Sequence, residues 1–257
     1  MSNRFEGQVV IITGGSGGIG KQTALQFLQE GAKVTIVDIN EESLTSAREE
    51  LSRQGEVLAV QADVSDEADV ENYIRATVEK FGKVDVLFNN AGIIGKVGSL
   101  VDQEYDNFKA VTGVNMNGVF LGLKHAIKQM IKQGTPGSII NTGSVDSFRG
   151  SPEQSAYSAT KHAVVGLTKT AAVEAAGHNI RVNSIHPAPV DTPMMAHVEE
   201  SRDKKNSASV REKFTSGIPL NRYADSSDIA DLVLFLASDD SKFVTGSQYS
   251  IDGGMMA

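Results

Sequence analysis

The chain has 257 residues, 22% of them charged and 40% hydrophobic, with a formal net charge of −8 and no cysteine. Its length suits one large α/β domain, and an acidic chain without a basic stripe is a poor partner for nucleic acid or an anionic membrane surface. Without cysteine there is no disulfide, no thiolate catalysis and no Cys-ligated zinc.

The opening MSNRFEGQVVIITGG has no basic stretch followed by an apolar run of signal-peptide length. No run reaches the ~20 apolar residues of a membrane-spanning helix. A cytoplasmic protein is the expectation. Along the chain, QVVIIT (8–13) reads as a buried strand closed by glycines, and KQTALQFLQEGA follows with helical spacing and a stop at Gly31. KVTIVD (33–38) is a second strand. NEESLTSAREELSRQG is a helix with Asn40 as N-cap and Gly55 beyond its end. EVLAVQAD is a third strand, DEADVENYIRATVEKFG a third helix, and VDVLFNNAG a fourth strand running into a loop.

The spacing predicts one long helix over 103–133, a fifth strand in GSIINTGS, a helix over 153–176 and a sixth strand in IRVNSIHP. A charged stretch of weak apolar period covers 193–218. DSSDIADLVLFLAS is a last helix and GSQYSIDGG a last strand. Such alternation predicts right-handed βαβ units. The expected fold is a single doubly wound Rossmann-type domain over 1–257, with a mostly parallel seven-stranded sheet and helices on both faces. No linker splits the chain.

TGGSGGIG (13–20) ends the first strand and opens a helix. Glycines there let a backbone approach a pyrophosphate, and the helix N-terminus supplies N–H groups. Asp38 ends the second strand 18 residues after Gly20, where a carboxylate can accept from both ribose hydroxyls. A lone glycine cluster also serves as a plain tight turn. The letters GGSGG fit a rival, the nucleophile elbow GxSxG, with Ser16 as nucleophile and Asp146 and His186 downstream. That reading sets the elbow on the first strand and leaves a later pair unused.

That pair lies in SAYSATKHAVVG (155–166), where Tyr157 precedes Lys161 by one helical turn. Tyrosine titrates near about 10, so a base working at neutrality needs roughly 4 kcal/mol of help. A nearby ammonium and the positive charge of an oxidised nicotinamide favour phenolate. Taken alone, the pair reads as an ordinary surface contact.

Its company changes that. Ser144 stands thirteen residues before Tyr157 at a strand end; Asn89-Asn90-Ala91-Gly92 follows the fourth strand; Asn115 lies in the next helix; Asp63-Val64 follows the third strand. With the spacing Gly14, Gly18, Gly20 and the turn Pro187-Ala188-Pro189-Val190-Asp191-Thr192, these motifs resemble the short-chain dehydrogenase/reductase family, in its order and over nearly the whole chain.

The resemblance implies a hydride transfer between NAD(H) and a secondary or cyclic alcohol or ketone. It implies that Tyr157 exchanges the proton, Ser144 binds the substrate oxygen, Lys161 lowers the Tyr157 pKa and holds the nicotinamide ribose, and Asn115 anchors a water relay. The dinucleotide falls to Gly14, Ser16, Gly17, Gly18, Ile19 and Gly20, then Asp38, Asp63 and Val64, then Asn90, Ala91 and Gly92, and finally Pro187, Val190 and Thr192, with Tyr157 and Lys161. The family's usual glycine after Pro187 is replaced by Ala188-Pro189, which puts backbone contacts from that turn in question. Asp38 would repel a 2′-phosphate, which points to NAD.

Ile94, Val145, Gln154, Met194, Met195 and Val198, beside Ser144 and Tyr157, are the expected substrate wall, largely apolar. The stretch 193–218 is the expected lid. By resemblance, the helices rich in small residues (Gly118, Gly122, Ala126) pack between subunits of a homotetramer; internal packing is the alternative. Nothing requires a metal: His125, His162, His178, His186 and His197 show no HxH or HExxH spacing. A dinucleotide-binding regulator without turnover is the remaining reading, and it leaves the acid/base set unexplained.

Overall fold

The computed structural model describes residues 3–257. Seven strands form one sheet in the order β3-β2-β1-β4-β5-β6-β7, and the pairings in it are parallel. The strands are β1 (Val9–Thr13), β2 (Lys33–Asp38), β3 (Val57–Gln61), β4 (Val86–Asn89), β5 (Gly137–Thr142), β6 (Ile180–Pro187) and β7 (Gln248–Ile251). Every residue of β1 and β4 is buried, which is why both are unbroken apolar runs: helices cover both faces.

One face carries α1 (Gly18–Gln29), α2 (Glu41–Leu51) and α9 (Ser226–Ala237), whose Phe27, Leu44 and Val233 pack with Val10 and Ile12. The other carries α3 (Glu67–Phe81), α5 (Gly118–Gln133) and α6 (Ser155–Ala175), with Tyr73, Met130 and Val164 against Ile11 and Leu87. Asn40 caps α2 as predicted, its side-chain oxygen accepting the Ser43 N–H at 2.8 Å. Chain order reverses between β1 and β4, so a crevice opens at their carboxyl ends.

Three local expectations need correction. The helix predicted over 103–133 is two, α4 (Tyr105–Thr112) and α5, joined by a π turn at Gly113–Asn117 in which the Gly118 N–H reaches back to the Gly113 carbonyl. Periodicity does not reveal such a widened turn, and Asn115 sits inside it. The stretch 193–218 is largely helical, as α7 (Pro193–Arg202) and α8 (Ser207–Ser216). α7 buries only Val198 and Glu199 and α8 buries nothing, so little apolar period was there to read. Gly118, Gly122 and Ala126 face inward: a Cβ on Gly118 would crowd Val64, one on Gly122 would collide with Asn89, and Ala126 is in the core. These small residues serve internal packing and say nothing about subunits. Among the described residues no helix is long and apolar enough to cross a membrane.

Candidate active site

A cavity of about 390 Å³ occupies the crevice. Its first wall is made by the turn after β1. Gly14 and Gly18 adopt positive φ (62° and 48°), and a Cβ on Gly20 would collide with the Gly14 carbonyl, so the tight turn demands glycine. Gly20 therefore packs against the turn and does not line the cavity; Gly14, Ser16, Gly17, Gly18 and Ile19 do. Gly17 stands at the N-cap of α1 and offers no side chain to the first-turn N–H groups. Uncapped donors beside an open cavity fit a diphosphate.

The loop after β4 braces this turn. Thr13 Oγ1 accepts the N–H groups of Asn90 and Ala91 at 3.0 and 3.1 Å, and Asn90 Nδ2 donates to the carbonyls of Thr13 and Gly14. Asn90, Ala91 and Gly92 line the cavity. Asp38 lines it too. Its carboxylate accepts from the Ser16 hydroxyl at 2.6 Å, from the Ser16 N–H and from the Asn40 N–H. Each carboxylate oxygen accepts more than one bond, so ribose hydroxyls still find room there. The residues present thus fit an adenosine diphosphate moiety.

Asp63 and Val64 lie outside the cavity. The Asp63 carboxylate accepts from the N–H and hydroxyl of Ser65, and Val64 packs on Gly118. Asn115 is also outside: its side chain makes two bonds of 2.8 Å to the Ile93 backbone and a longer one to Thr160. The amide donors are thus both used, while Oδ1 keeps one acceptor site.

Ser144 follows β5 and is buried. Its hydroxyl oxygen accepts the Asp146 N–H at 3.1 Å, which leaves its own hydrogen free to donate into the cavity. Tyr157 faces the same space from the first turn of α6. Lys161 Nζ donates to the Thr142 carbonyl at 2.7 Å and stands 5.4 Å from the centre of the Tyr157 ring. Gly92 lies beside that ammonium, where a Cβ would stand 3.8 Å from it, an ordinary contact.

The electrostatics depart from expectation. Burial, and next the charge of Asp146, push the Tyr157 phenol above its ordinary value, with the Ser144 hydroxyl opposing. Burial brings Lys161 down to about 8. The Lys161 ammonium sits beside the ring and is held by Thr142, so burial and Asp146 outweigh it in the protein alone. His186, under Ser144, is brought to about 4, first by burial and also by the Lys161 charge. A carbonyl only accepts, so the 3.1 Å contact to the Ser144 carbonyl puts the proton on His186 Nδ1, and Nε2 accepts from the Ser184 hydroxyl.

The elbow triad is not assembled. Ser16 is bonded to Asp38, His186 to Ser144 and Ser184, and Asp146 to Arg149 at 3.2 Å.

The second wall comes from the turn after β6 and from α7. Pro187, Val190 and Thr192 line the cavity, and Thr192 approaches Gly18 across it. Ala188 donates its N–H to the Ile251 carbonyl, and the Pro189 carbonyl accepts the Ala224 N–H. The unusual Ala-Pro pair is thereby held by β7 and by the segment before α9. Ile94, Val145, Gln154, Met194, Met195 and Val198 all line the cavity. So do residues the sequence reading did not place there: Arg149, Ser151, Arg202, Phe214 and Met255, with Asp146, which entered only through the elbow. The signal for Asp146 and Arg149 was their place directly after Ser144. Arg202 gave none, and Phe214 entered only as an apolar anchor of the expected lid over 193–218. Glu67, Glu71 and His125 gather between α3 and α5, away from the cavity, with the Lys124 ammonium already on Glu67 at 2.5 Å.

A family model described as enoyl-(acyl carrier protein) reductase matches residues 14–256. Levodione reductase of Leifsonia aquatica is 43% identical over 259 residues, covering 100% of this chain and 97% of its own. Its crystal structure superposes with a TM-score of 0.95 over 98% of each chain. Cyclohexanol dehydrogenase of Acinetobacter is 38% identical, covering 98% of this chain and 96% of its own. NAD+-bound xylitol dehydrogenase is 36% identical, with a TM-score of 0.94 over 98% of this chain and 100% of that one.

Proposed function

The chain belongs to the short-chain dehydrogenase/reductase family, and from that premise we propose that it moves a hydride between NAD(H) and a secondary or cyclic alcohol or ketone, with Tyr157 as general acid/base. The observation that carries the reading is the convergence of Ser144, Tyr157 and Lys161 on one cavity whose other wall is the glycine turn and Asp38. The relatives named for levodione, cyclohexanol and NAD+-bound xylitol dehydrogenase support the substrate class and the cofactor.

When bound, the nicotinamide supplies the hydride site and, in its oxidised form, a positive charge. The protein's own groups do the rest. The first turn of α1 and the glycine turn bind the diphosphate, and Asp38 takes the adenosine ribose and rejects a 2′-phosphate. Ser144 donates its free hydrogen to the substrate oxygen and stabilises negative charge as it develops. Tyr157 holds the proton at the same oxygen. Its raised pKa suits the acid role in ketone reduction; alcohol oxidation needs phenolate, which the protein alone disfavours. Lys161, within one turn of Tyr157, is the nearest cation to favour it once ligand draws it from Thr142.

The exposed apolar side chains support a homotetramer. Leu100, Val101, Tyr105 and Phe120 stand out around α4 and α5; Leu220, Phe235 and Phe243 stand out near α9 and β7. Two separate patches suit two self-complementary interfaces.

The test is a panel of alcohols and ketones with both cofactors, read at the reduced-nicotinamide absorbance. Tyr157→Phe keeps the ring and removes the exchangeable proton. It is expected to lower kcat by roughly a hundredfold or more while NADH still binds. Turnover close to wild type in that variant would overturn the assignment of Tyr157.

A further inference from the structure

The side chains of Asp146 and Arg149 have no assigned role in exchanging the proton or the hydride, yet they form a charged pair in the cavity wall beside Ser144. Asp146 is 7% exposed. One carboxylate oxygen, Oδ1, accepts from Arg149 Nε at 3.2 Å. The other, Oδ2, makes no hydrogen bond among the described residues. The Arg149 Nη2 group has only the thioether of Met255, at 3.6 Å, and a thioether is a weak acceptor. Gln154, 8% exposed, uses its side-chain oxygen on the Ser151 hydroxyl, while its amide hydrogens have no partner among the described residues. One end of the cavity thus holds an unspent strong acceptor in Asp146 and strong donors in Gln154 and in the half-exposed Arg149.

We propose that the Asp146–Arg149 pair reads a second oxygen of the substrate, so that the preferred substrate is a neutral diol or hydroxyketone rather than a simple alcohol or ketone. The proposal rests on the hydride-transfer reading and deepens it.

The chemistry follows from what each candidate would leave unpaired. The pair is neutral overall, so an ionic substrate group would unbalance it. A plain hydrocarbon end would strip water from a carboxylate and a guanidinium and return nothing. A carbonyl accepts from Arg149 but leaves Asp146 Oδ2 without a donor. A hydroxyl does both: it donates to Asp146 Oδ2 and accepts from Arg149. The carbon frame between the two oxygens would rest on Val145, Met195 and Val198, which face the same space. The expected wall, largely apolar but for Gln154, thus gains a polar end in Asp146 and Arg149.

The experiment compares kcat/KM for cyclohexanol and for the 1,2-, 1,3- and 1,4-cyclohexanediols. Enzymes are wild type, Asp146→Ala, Asp146→Asn and Arg149→Ala, with NADH binding and melting temperature recorded for each. Wild type is expected to favour at least one diol tenfold or more. In Asp146→Ala the ratio of diol to cyclohexanol should fall tenfold to a hundredfold, the size of a lost hydrogen bond to a charged group, and mainly through KM for the diol. Asp146→Asn keeps shape and one acceptor and should retain part of the preference. If Asp146→Ala does not fold, the Asn and Arg149→Ala variants carry the same ratio. A wild type that favours cyclohexanol, or a ratio that no variant moves, overturns the proposal and leaves hydride transfer standing. A protein that oxidises none of the four overturns this proposal, and one that also turns over nothing in the wider panel of alcohols and ketones, with either cofactor, overturns the hydride-transfer reading with it.

Discussion

Asp38, on the first wall of the cleft, has its carboxylate tied by three hydrogen bonds; Glu199, on the second wall, is buried in α7 with an oxygen that makes none. The contrast extends to the helices behind them. α1 buries Gly20, Thr23, Ala24, Phe27 and Leu28, whereas α8 buries nothing. The first wall is backbone geometry held by a core. The second is held by side-chain anchors: Met195 and Phe214 against a small cluster with Ile218 and Tyr223, and Arg211 paired with Asp191 at 2.9 Å. A wall of the first kind is pre-shaped for a constant ligand. One of the second kind has few buried contacts to lose on opening, and can shape itself to a variable one.

The sharpest way to break that contrast is Gly20→Ala. The added methyl would meet the Gly14 carbonyl and crowd Asn90 Nδ2, both parts of the braced turn, so nothing nearby yields without moving the turn itself. Overpacking of this kind costs about 2–3 kcal/mol. We expect a loss of NADH affinity of roughly a hundredfold, measured by the fluorescence of bound NADH and checked against the melting curve. Affinity within threefold of wild type would show that the first wall is not rigid.

This wall was legible in the sequence because its function is written in residue types. Only glycine satisfies Gly14, Gly18 and Gly20 together, and the β1 and β4 runs announce strands buried on both faces. Ser144, Tyr157 and Lys161 were legible through spacing along one strand end and one helix. What could not be read depends on packing across the cleft. Asn115 and Asp63 carry recognisable motifs, yet their side chains are spent on Ile93 and Ser65. The electrostatic order at Tyr157 depends on where the Lys161 ammonium points and on Asp146, which i,i+4 spacing does not determine. α7 and α8 bury too little to leave a period.

The second prediction probes the floor where the walls meet. His186 is fully buried, packs in a tilted arrangement 4.5 Å from the Phe148 ring and is neutral, with its pKa brought to about 4 by burial. In the unfolded chain it titrates near about 6.5. Between those values the unfolded state binds the extra proton, so stability is full above the unfolded value and is lost as pH falls toward the folded one. The loss is on the order of 3 kcal/mol. His186→Gln, which does not titrate there, should be less stable at pH 8 and show a shallower fall in melting temperature between pH 6.5 and 4. Equal slopes in the two proteins would mean that His186 charges without penalty and that the floor is open to water.

Asp38→Ala tests whether the first wall also selects. If Asp38 holds the adenosine ribose as proposed, this removes that acceptor and the charge that would face a 2′-phosphate. NADH should bind roughly tenfold more weakly, and the ratio of kcat/KM for NAD over NADP should narrow. Wild type using both cofactors equally would show that Asp38 holds Ser16 and nothing else.

The smallest effect is expected on the second wall, and it is the one that decides whether that wall is a lid. Arg211 joins three elements: Asp191 in the turn after β6, Glu199 in α7 at 3.8 Å, and the Tyr223 ring at 4.5 Å. Arg202 adds Glu153 at 3.7 Å and the ring of Phe214. The pairs to Asp191 and Glu153 are half-exposed and so worth about 1 kcal/mol or less each, which leaves the segment close to opening. Thr192, at the head of α7, approaches Gly18 across the cleft, so a ligand seated between them touches both walls. Amide exchange over 193–216 should therefore be fast in the free protein and slow several-fold when NADH is added. Arg211→Ala should speed exchange in the free protein and leave the residues of α1 unmoved. Exchange that is slow without NADH and indifferent to it would make α7 and α8 fixed parts of the wall, and the difference between the two walls would then be one of composition alone.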